Sequence, residues 1–264
     1  MKYRLLFSCL ALAGLSLNAS AADAPPAKTS TLTIGAGVGV SPRFAGSKEN
    51  QVGLAPLLDY QHESGFFAST MRGVGWGTET DVFKFSAALG ARGERSDKKR
   101  NVLGTGGGSD ELKGMGKVKA SAVGLFSAGF KLGDSAELRA ALELPLTQRE
   151  NGRALHLGAE LPLLQGKQDS LSLSASASYG DAKYLRTYFG VTPTQSAASG
   201  YALFTPKAGF YKTELNLAWT HRVDDHWSVV TTGGVSHLLG DAGKSPLARR
   251  KTAPEGAVLL TYTY

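Results

Sequence analysis

Cysteine is almost missing from this chain of 264 residues, with Cys9 the single one. A disulfide framework is thereby excluded, as is a thiolate metal site, which needs several sulfur ligands. Past the N-terminus no run of 18 apolar residues occurs, so no transmembrane helix is expected, since such a helix needs about 20. Catalytic signatures are lacking too. There is no Gly-x-Ser-x-Gly elbow, and Gly104–Ser109 lacks the lysine of a phosphate-binding loop. No motif implies a cofactor. The charge is +7, from 29 Lys+Arg against 22 Asp+Glu scattered along the sequence. Recognition of nucleic acid would need the basic residues gathered on one face, so none is expected as a partner. A surroundings of anionic lipid head groups fits the mild excess better.

What is present begins with an export signal. Met1-Lys2-Tyr3-Arg4 is basic, Leu5 to Leu17 is apolar, and Ala19-Ser20-Ala21 offers a small-x-small cleavage pattern ending at Ala21. The expected organisation is therefore a signal peptide over 1–21, a short Pro- and Ala-rich disordered lead-in over 22–30, and one folded unit over 31–264. Cys9 lies inside the apolar stretch with no cut site before it, which argues against a lipidated start.

From Thr31 onward the pattern has period two. Leu171, Leu173, Ala175, Ala177 and Tyr179 alternate with Ser172, Ser174, Ser176 and Ser178. A strand puts those serines on one face, whereas a helix would scatter them. Ala136, Leu138, Ala140, Leu142, Leu144 and Leu146 oppose Glu137, Arg139, Ala141, Glu143 and Thr147. Leu155, Leu157, Ala159, Leu161 and Leu163 face away from His156 and Glu160, and Tyr211, Thr213, Leu215, Leu217 and Trp219 oppose Lys212, Glu214, Asn216 and Thr220. Further strands are expected over 31–40, 51–61, 66–76, 81–92, 117–131, 226–238 and 255–264. Longer polar loops fall at 93–116, 180–204 and 239–254. This makes eleven strands, while single-chain bacterial barrels take even numbers. Ten and twelve are both compatible, twelve is favoured, and Tyr184–Val191 is the candidate for the missing strand.

Three features favour a transmembrane antiparallel β-barrel over a soluble sandwich. Many strands reach nine residues, the length that crosses a bilayer at a tilt, against the usual five or six. Lys84, Arg139, Glu143, Glu160 and Glu214 sit deep in strands, where a dry core would cost several kcal/mol for each unpaired charge. Aromatics gather near strand ends (Tyr60, Trp76, Tyr179, Trp227, Tyr262, Tyr264), as an interfacial girdle requires. The last strand places Val258, Leu260, Tyr262 and Tyr264 on one apolar face. Such a C-terminal strand suits recognition by the outer-membrane assembly machinery. The expected setting is the cell outer membrane, with its lipid and lipopolysaccharide as partners.

Of the five histidines, His221 and His226 flank Asp224-Asp225 but lack a third ligand, so two solvated imidazoles are the expectation. His156 and Glu160 share a face about 13 Å apart along an extended strand, too far to act together. Lys98-Lys99-Arg100 and Arg249-Arg250-Lys251 are basic loop runs, which by default are solvated.

Ser41-Pro42-Arg43-Phe44-Ala45-Gly46-Ser47 resembles the Ser-Pro-x-Tyr-x-Gly-Ser of the MipA/OmpV family, with Phe44 in place of Tyr. Tyr188-Phe189-Gly190-Val191-Thr192, with Gln195-Ser196 and Ser199-Gly200, resembles that family's most distinctive block. Asp225-His226-Trp227-Ser228, Leu239-Gly240-Asp241-Ala242 and Ser245-Pro246 match its last hairpin. The resemblance implies a non-enzymatic outer-membrane scaffold joining a murein lytic transglycosylase to a penicillin-binding protein in peptidoglycan remodelling. It marks Ser41, Pro42, Gly46, Ser47, Tyr188, Phe189, Gly190 and Val191 as loop candidates for partner contact, and it implies no catalytic residue. A narrow pore for small solutes and an adhesion or stress-related surface protein are the alternatives.

Overall fold

The computed structural model describes residues 30–99, 108–133 and 135–264. The expected leader, its cut after Ala21 and all but the last residue of the lead-in lie outside the described residues. The strands are β1 (Thr31–Pro42), β2 (Asn50–Leu54), β3 (Leu57–Gln61), β4 (Phe66–Ser69), β5 (Gly73–Glu79), β6 (Phe83–Arg92), β7 (Ser121–Leu132), β8 (Ala136–Pro145), β9 (Ala154–Gln165), β10 (Asp169–Gly180), β11 (Gly209–Arg222), β12 (Trp227–Leu238) and β13 (Thr252–Thr263). β1 pairs with β2 and β3, and from β3 onward each strand pairs antiparallel with the next. β13 then returns to β1, from Thr33↔Thr263 to Val40↔Gly256, and closes the ring.

β2 and β3 are two halves of one wall strand. Both pair with β1 in the same register, and Gly37 and Ala55 exchange backbone bonds of 3.1 and 2.9 Å between them. Pro56 falls between the two halves with its backbone turned away from β1, where its carbonyl accepts from Thr70 Oγ1 at 3.5 Å. The barrel therefore has twelve strands in its wall, an even number, and closure leaves no edge running the full height of the sheet.

The sequence count fell one short at 66–76, which is a hairpin, β4 and β5. Its turn carries no Asn, Asp or Pro. Ser69 Oγ instead accepts from Met71 N (3.2 Å) and Arg72 N (3.4 Å), and Gly73 takes the left-handed φ of 81° that needs no Cβ. Tyr184–Val191 is not the missing strand. Most of it lies in helix α1 (Ala182–Phe189), begun by Asp181 accepting from Tyr184 N at 2.7 Å. Leu185 and Phe189, four apart, form its buried face.

The alternation sorts as expected over most of the wall. Leu138, Leu142, Leu157, Leu161, Leu215, Leu217 and Trp219 are exposed on the outside, where a bilayer would cover them. Val258 and Leu260, of the C-terminal strand, are 48% and 49% exposed on the same surface. Tyr211 is an exception: a register shift between Ser178 and Tyr179 turns it inward, where it is buried.

The two ends of the barrel differ. At one end, with the start of β1 and the end of β13, lie the short connections β3–β4, β5–β6, β7–β8, β9–β10 and β11–β12; at the other lie the long ones. Trp227, Tyr262 and Tyr264 pack edge to face at the turn end, with centroids 5.0 and 4.7 Å apart, an aromatic girdle at one interface. Inside, β1 presents Gly35, Gly37 and Gly39. Across this low floor Ala55 and Leu57 meet Val230, Ala257 and Leu259, with Met71 packed against them.

Candidate functional site

The long-loop end is folded into a cap. Helix α2 (Pro193–Ser199) starts with a capping box between Thr192 and Gln195, and α3 (Gly240–Lys244) follows β12. Leu185 and Phe189 of α1 pack on Tyr211, Leu238 and Ala242, while Leu112, Met115, Val191 and Leu247 form a second core beside them. Polar pins hold the pieces together. Ser245 Oγ donates to Phe189 O (2.6 Å), Gln195 Nε2 to Met115 O (2.8 Å) and Tyr201 OH to Glu111 O (2.8 Å).

Arg95 closes the C-terminal end of α1. Its guanidinium donates to Tyr188 O (2.6 Å) and Thr187 O (3.1 Å), the carbonyls a helix end leaves unpaired. Burial lowers its pKa to about 10, and Tyr188 and Tyr184 nearby offset only part of that desolvation.

Below the cap the lumen wall is polar. Lys84 bonds Glu137 at 2.8 Å, and Glu137 in turn holds Arg139, which reaches Glu160 at 2.9 Å. Lys131 pairs with Glu79, and Lys212 with Glu214 at 2.8 Å. The charges expected inside strands are thus met by partners of opposite sign, on another strand for Lys84, Arg139, Glu143 and Glu160 and on the same strand for Glu214. Alternate residues on neighbouring strands bring them to the same height.

One juxtaposition escaped the sequence. Arg92 Nε bonds Glu143 Oε1 at 2.7 Å, Glu143 Oε2 lies 3.7 Å from His156 Nε2, and His156 Nδ1 meets Ser178 Oγ at 2.9 Å. Carboxylate, imidazole and hydroxyl stand in line as in a hydrolase. The line comes from register: Ser178 lies opposite His156, and Glu143 opposite Ala154 beside it. Ser178 is 1% exposed, which leaves no room for a substrate at its hydroxyl, and Arg92 already engages the carboxylate. The arrangement reads as a polar lumen network that ties β6, β8, β9 and β10 together.

The loop residues singled out by resemblance all lie in or beside the cap. Gly46, Ser47, Phe189, Gly190 and Val191 are buried, and Ser41, Pro42 and Tyr188 are half-buried. Ser47 Oγ donates to Glu111 Oε2 at 3.0 Å, which ties the first loop to the third. His221 Nδ1 binds Asp169 at 2.9 Å and His226 stacks on Tyr262, so the two imidazoles serve different neighbours. Among the described residues no group of three His, Cys, Asp or Glu side chains could hold a metal. None of their helices is long and apolar enough to cross a membrane.

A closed antiparallel ring, apolar outside and charge-lined inside, is an integral β-barrel of the outer membrane. The chain belongs to the MipA family: the family described as MltA-interacting protein MipA matches residues 34–264. No curated protein sequence matches. Solved structures of similar shape include an outer-membrane channel from Pseudomonas putida F1, at 11% identity over 94% of this chain and 99% of that one, with a TM-score of 0.48. A NanC porin (7% identity, 88% and 98% covered, TM-score 0.48) and a KdgM porin (7%, 89% and 99%, 0.44) are alike to a similar degree.

Proposed function

We propose that this barrel is a non-enzymatic anchor that holds a murein lytic transglycosylase at the outer membrane and links it to a penicillin-binding protein. The family's description supplies the first partner class. The observation that carries the reading is the capped, charge-paired interior. Packed helices cover one mouth, and opposite charges hold each other along the wall, which suits a rigid anchor better than an open conduit. Bacterial barrels keep short turns on the periplasmic side and long loops outside. Contact with periplasmic enzymes then belongs to the turn end and the lead-in before Thr31, and the resemblance-marked loop residues serve by holding the cap rigid.

The test is affinity capture of the tagged protein from detergent-solubilised envelopes, with retained murein enzymes read by mass spectrometry. Recovery of a lytic transglycosylase above a control barrel supports the anchor, and its absence after mild cross-linking sinks it. A second reading, a narrow pore, is favoured by the serine strip Ser172, Ser174, Ser176 and Ser178 on the lumen face of β10. Steady, selective single-channel currents in planar bilayers would favour the pore, and electrical silence the anchor.

A further inference from the structure

The wall of the barrel is not of even height. β4 has four residues and β5 seven, whereas β6 to β13 have 10 to 14. A transmembrane strand needs about nine to eleven, so the β4–β5 hairpin stops partway up. Its tip, Thr70 to Arg72, points toward the long-loop end. Above it β2 has β1 on one side and, among the described residues, no strand on the other. Across the gap stands the end of β6, whose pairing with β5 stops at Val74↔Leu89. The two flanks are apolar. Val52 and Leu89 are 71% and 64% exposed, the highest values for large apolar side chains within the strands. Pro56 fits this place, since proline is tolerated where a strand's N–H has no ladder to join.

The loops over this breach are basic. The two cationic runs seen in the sequence, some 150 residues apart, both reach the loop between β1 and β2. Lys99 Nζ lies 3.5 Å from Glu49, and Arg250 donates its N–H to Gly46 O (2.9 Å) and its guanidinium to Asn50 Oδ1. Lys48, Lys98, Arg249 and Lys251 are exposed and make no ion pair among the described residues. Below the breach, an outward cleft of about 460 Å³ runs along β5 to β9 over a floor of Ala87, Ala128 and Ala140, walled by Trp76, Phe126 and Leu142.

We propose that this breach and its basic rim form a binding site for one phosphorylated, acylated lipid of the outer leaflet. Its acyl chains cover Val52, Leu54, Val74 and Leu89 and run into the cleft, and its phosphate meets Lys48, Lys98, Arg249 and Lys251. Polar groups near the lipid head satisfy the backbone N–H and C=O that the free side of β2 turns outward, which bare hydrocarbon could not do. Either half alone is ordinary: apolar walls face lipid everywhere, and basic loops are usually solvated. Their stacking at this low point of the wall specifies a lipid with both parts.

The experiment is titration of the full-length protein in nanodiscs of zwitterionic lipid with lipopolysaccharide, with deacylated lipopolysaccharide and with inorganic phosphate. Binding is read as a shift in unfolding midpoint and by native mass spectrometry. Lipopolysaccharide is expected to bind at least tenfold more tightly than the deacylated form. Lys98→Gln with Arg249→Gln should weaken it about thirtyfold, at roughly 1 kcal/mol for each cation near an anionic surface. The same loss of charge at the turn end, Lys167→Gln with Arg222→Gln, should leave it unchanged. The rim residues are exposed, so these variants are expected to fold, which heat-modifiable migration in gels verifies. Equal affinity of the rim variant and the parent, or equal binding of the deacylated form or of phosphate, would overturn the proposal.

Discussion

At the scale of single residues, position in the barrel decides what a polar group does. Asp224 shows this in the turn between β11 and β12. Its carboxylate accepts from Trp227 N (2.7 Å) and His226 N (2.8 Å), and these bonds hold its pKa below the usual carboxylate range. A folded-state pKa below the unfolded one means that the stabilisation is complete above the unfolded value. It fades as pH falls through the folded one. Asp224→Asn is thus expected to lower the unfolding midpoint at neutral pH, with the difference from the parent vanishing well below pH 4. Urea unfolding followed by tryptophan fluorescence across pH would check it, and a pH-independent difference would contradict it. Ser178 makes the opposite case, a hydroxyl that looks catalytic and is walled in. A fluorophosphonate probe should leave the folded protein unlabelled. Ser178→Ala should cost about 1–3 kcal/mol by stranding His156 Nδ1, with no loss of any envelope activity.

At the scale of elements, the alternating strands were legible because one face meets lipid and the other a polar lumen, and each face selects its residue types. Leu138 against Arg139 and Leu173 against Ser174 both read correctly for that reason. The β4–β5 hairpin was not legible, because its turn is made by a serine side chain and one glycine. Nor was α1, whose Tyr184, Leu185, Tyr188 and Phe189 could serve either a strand or a helix until Asp181 capped it. Glycine placement was equally silent. A Cβ at Gly37 would overlap the Val258 carbonyl and come within 2.7 Å of Leu259 Cα, whereas one at Gly233 would meet nothing within 4 Å. Gly37→Ala is therefore expected to destabilise the barrel by about 1–3 kcal/mol or block its assembly, and Gly233→Ala to be nearly neutral. Heat-modifiable migration and urea midpoints of the two variants decide this.

For the whole molecule, the defining event is the meeting of β1 with β13. Thr33 and Thr263 face each other there with their hydroxyls 2.9 Å apart, although 230 residues separate them. Replacing both with cysteine, in a chain whose one native cysteine is Cys9, should give a spontaneous intramolecular disulfide in the folded protein and none in the urea-unfolded protein. Non-reducing gels read it directly. Failure of the folded protein to cross-link would mean that the seam lies in another register.

The amino-acid order alone determined that strands of period two form the wall, which side chains face hydrocarbon away from the bulge at Tyr211, and that the chain resembles the MipA/OmpV family. Those are local or pairwise properties of neighbours in the chain. The tertiary structure alone decided how many strands close the ring, that Arg95 ends α1, that Glu143, His156 and Ser178 align, and that two distant basic runs share one rim. Each depends on register and strand height around a closed sheet, and such relations exist only once the first strand has found the last.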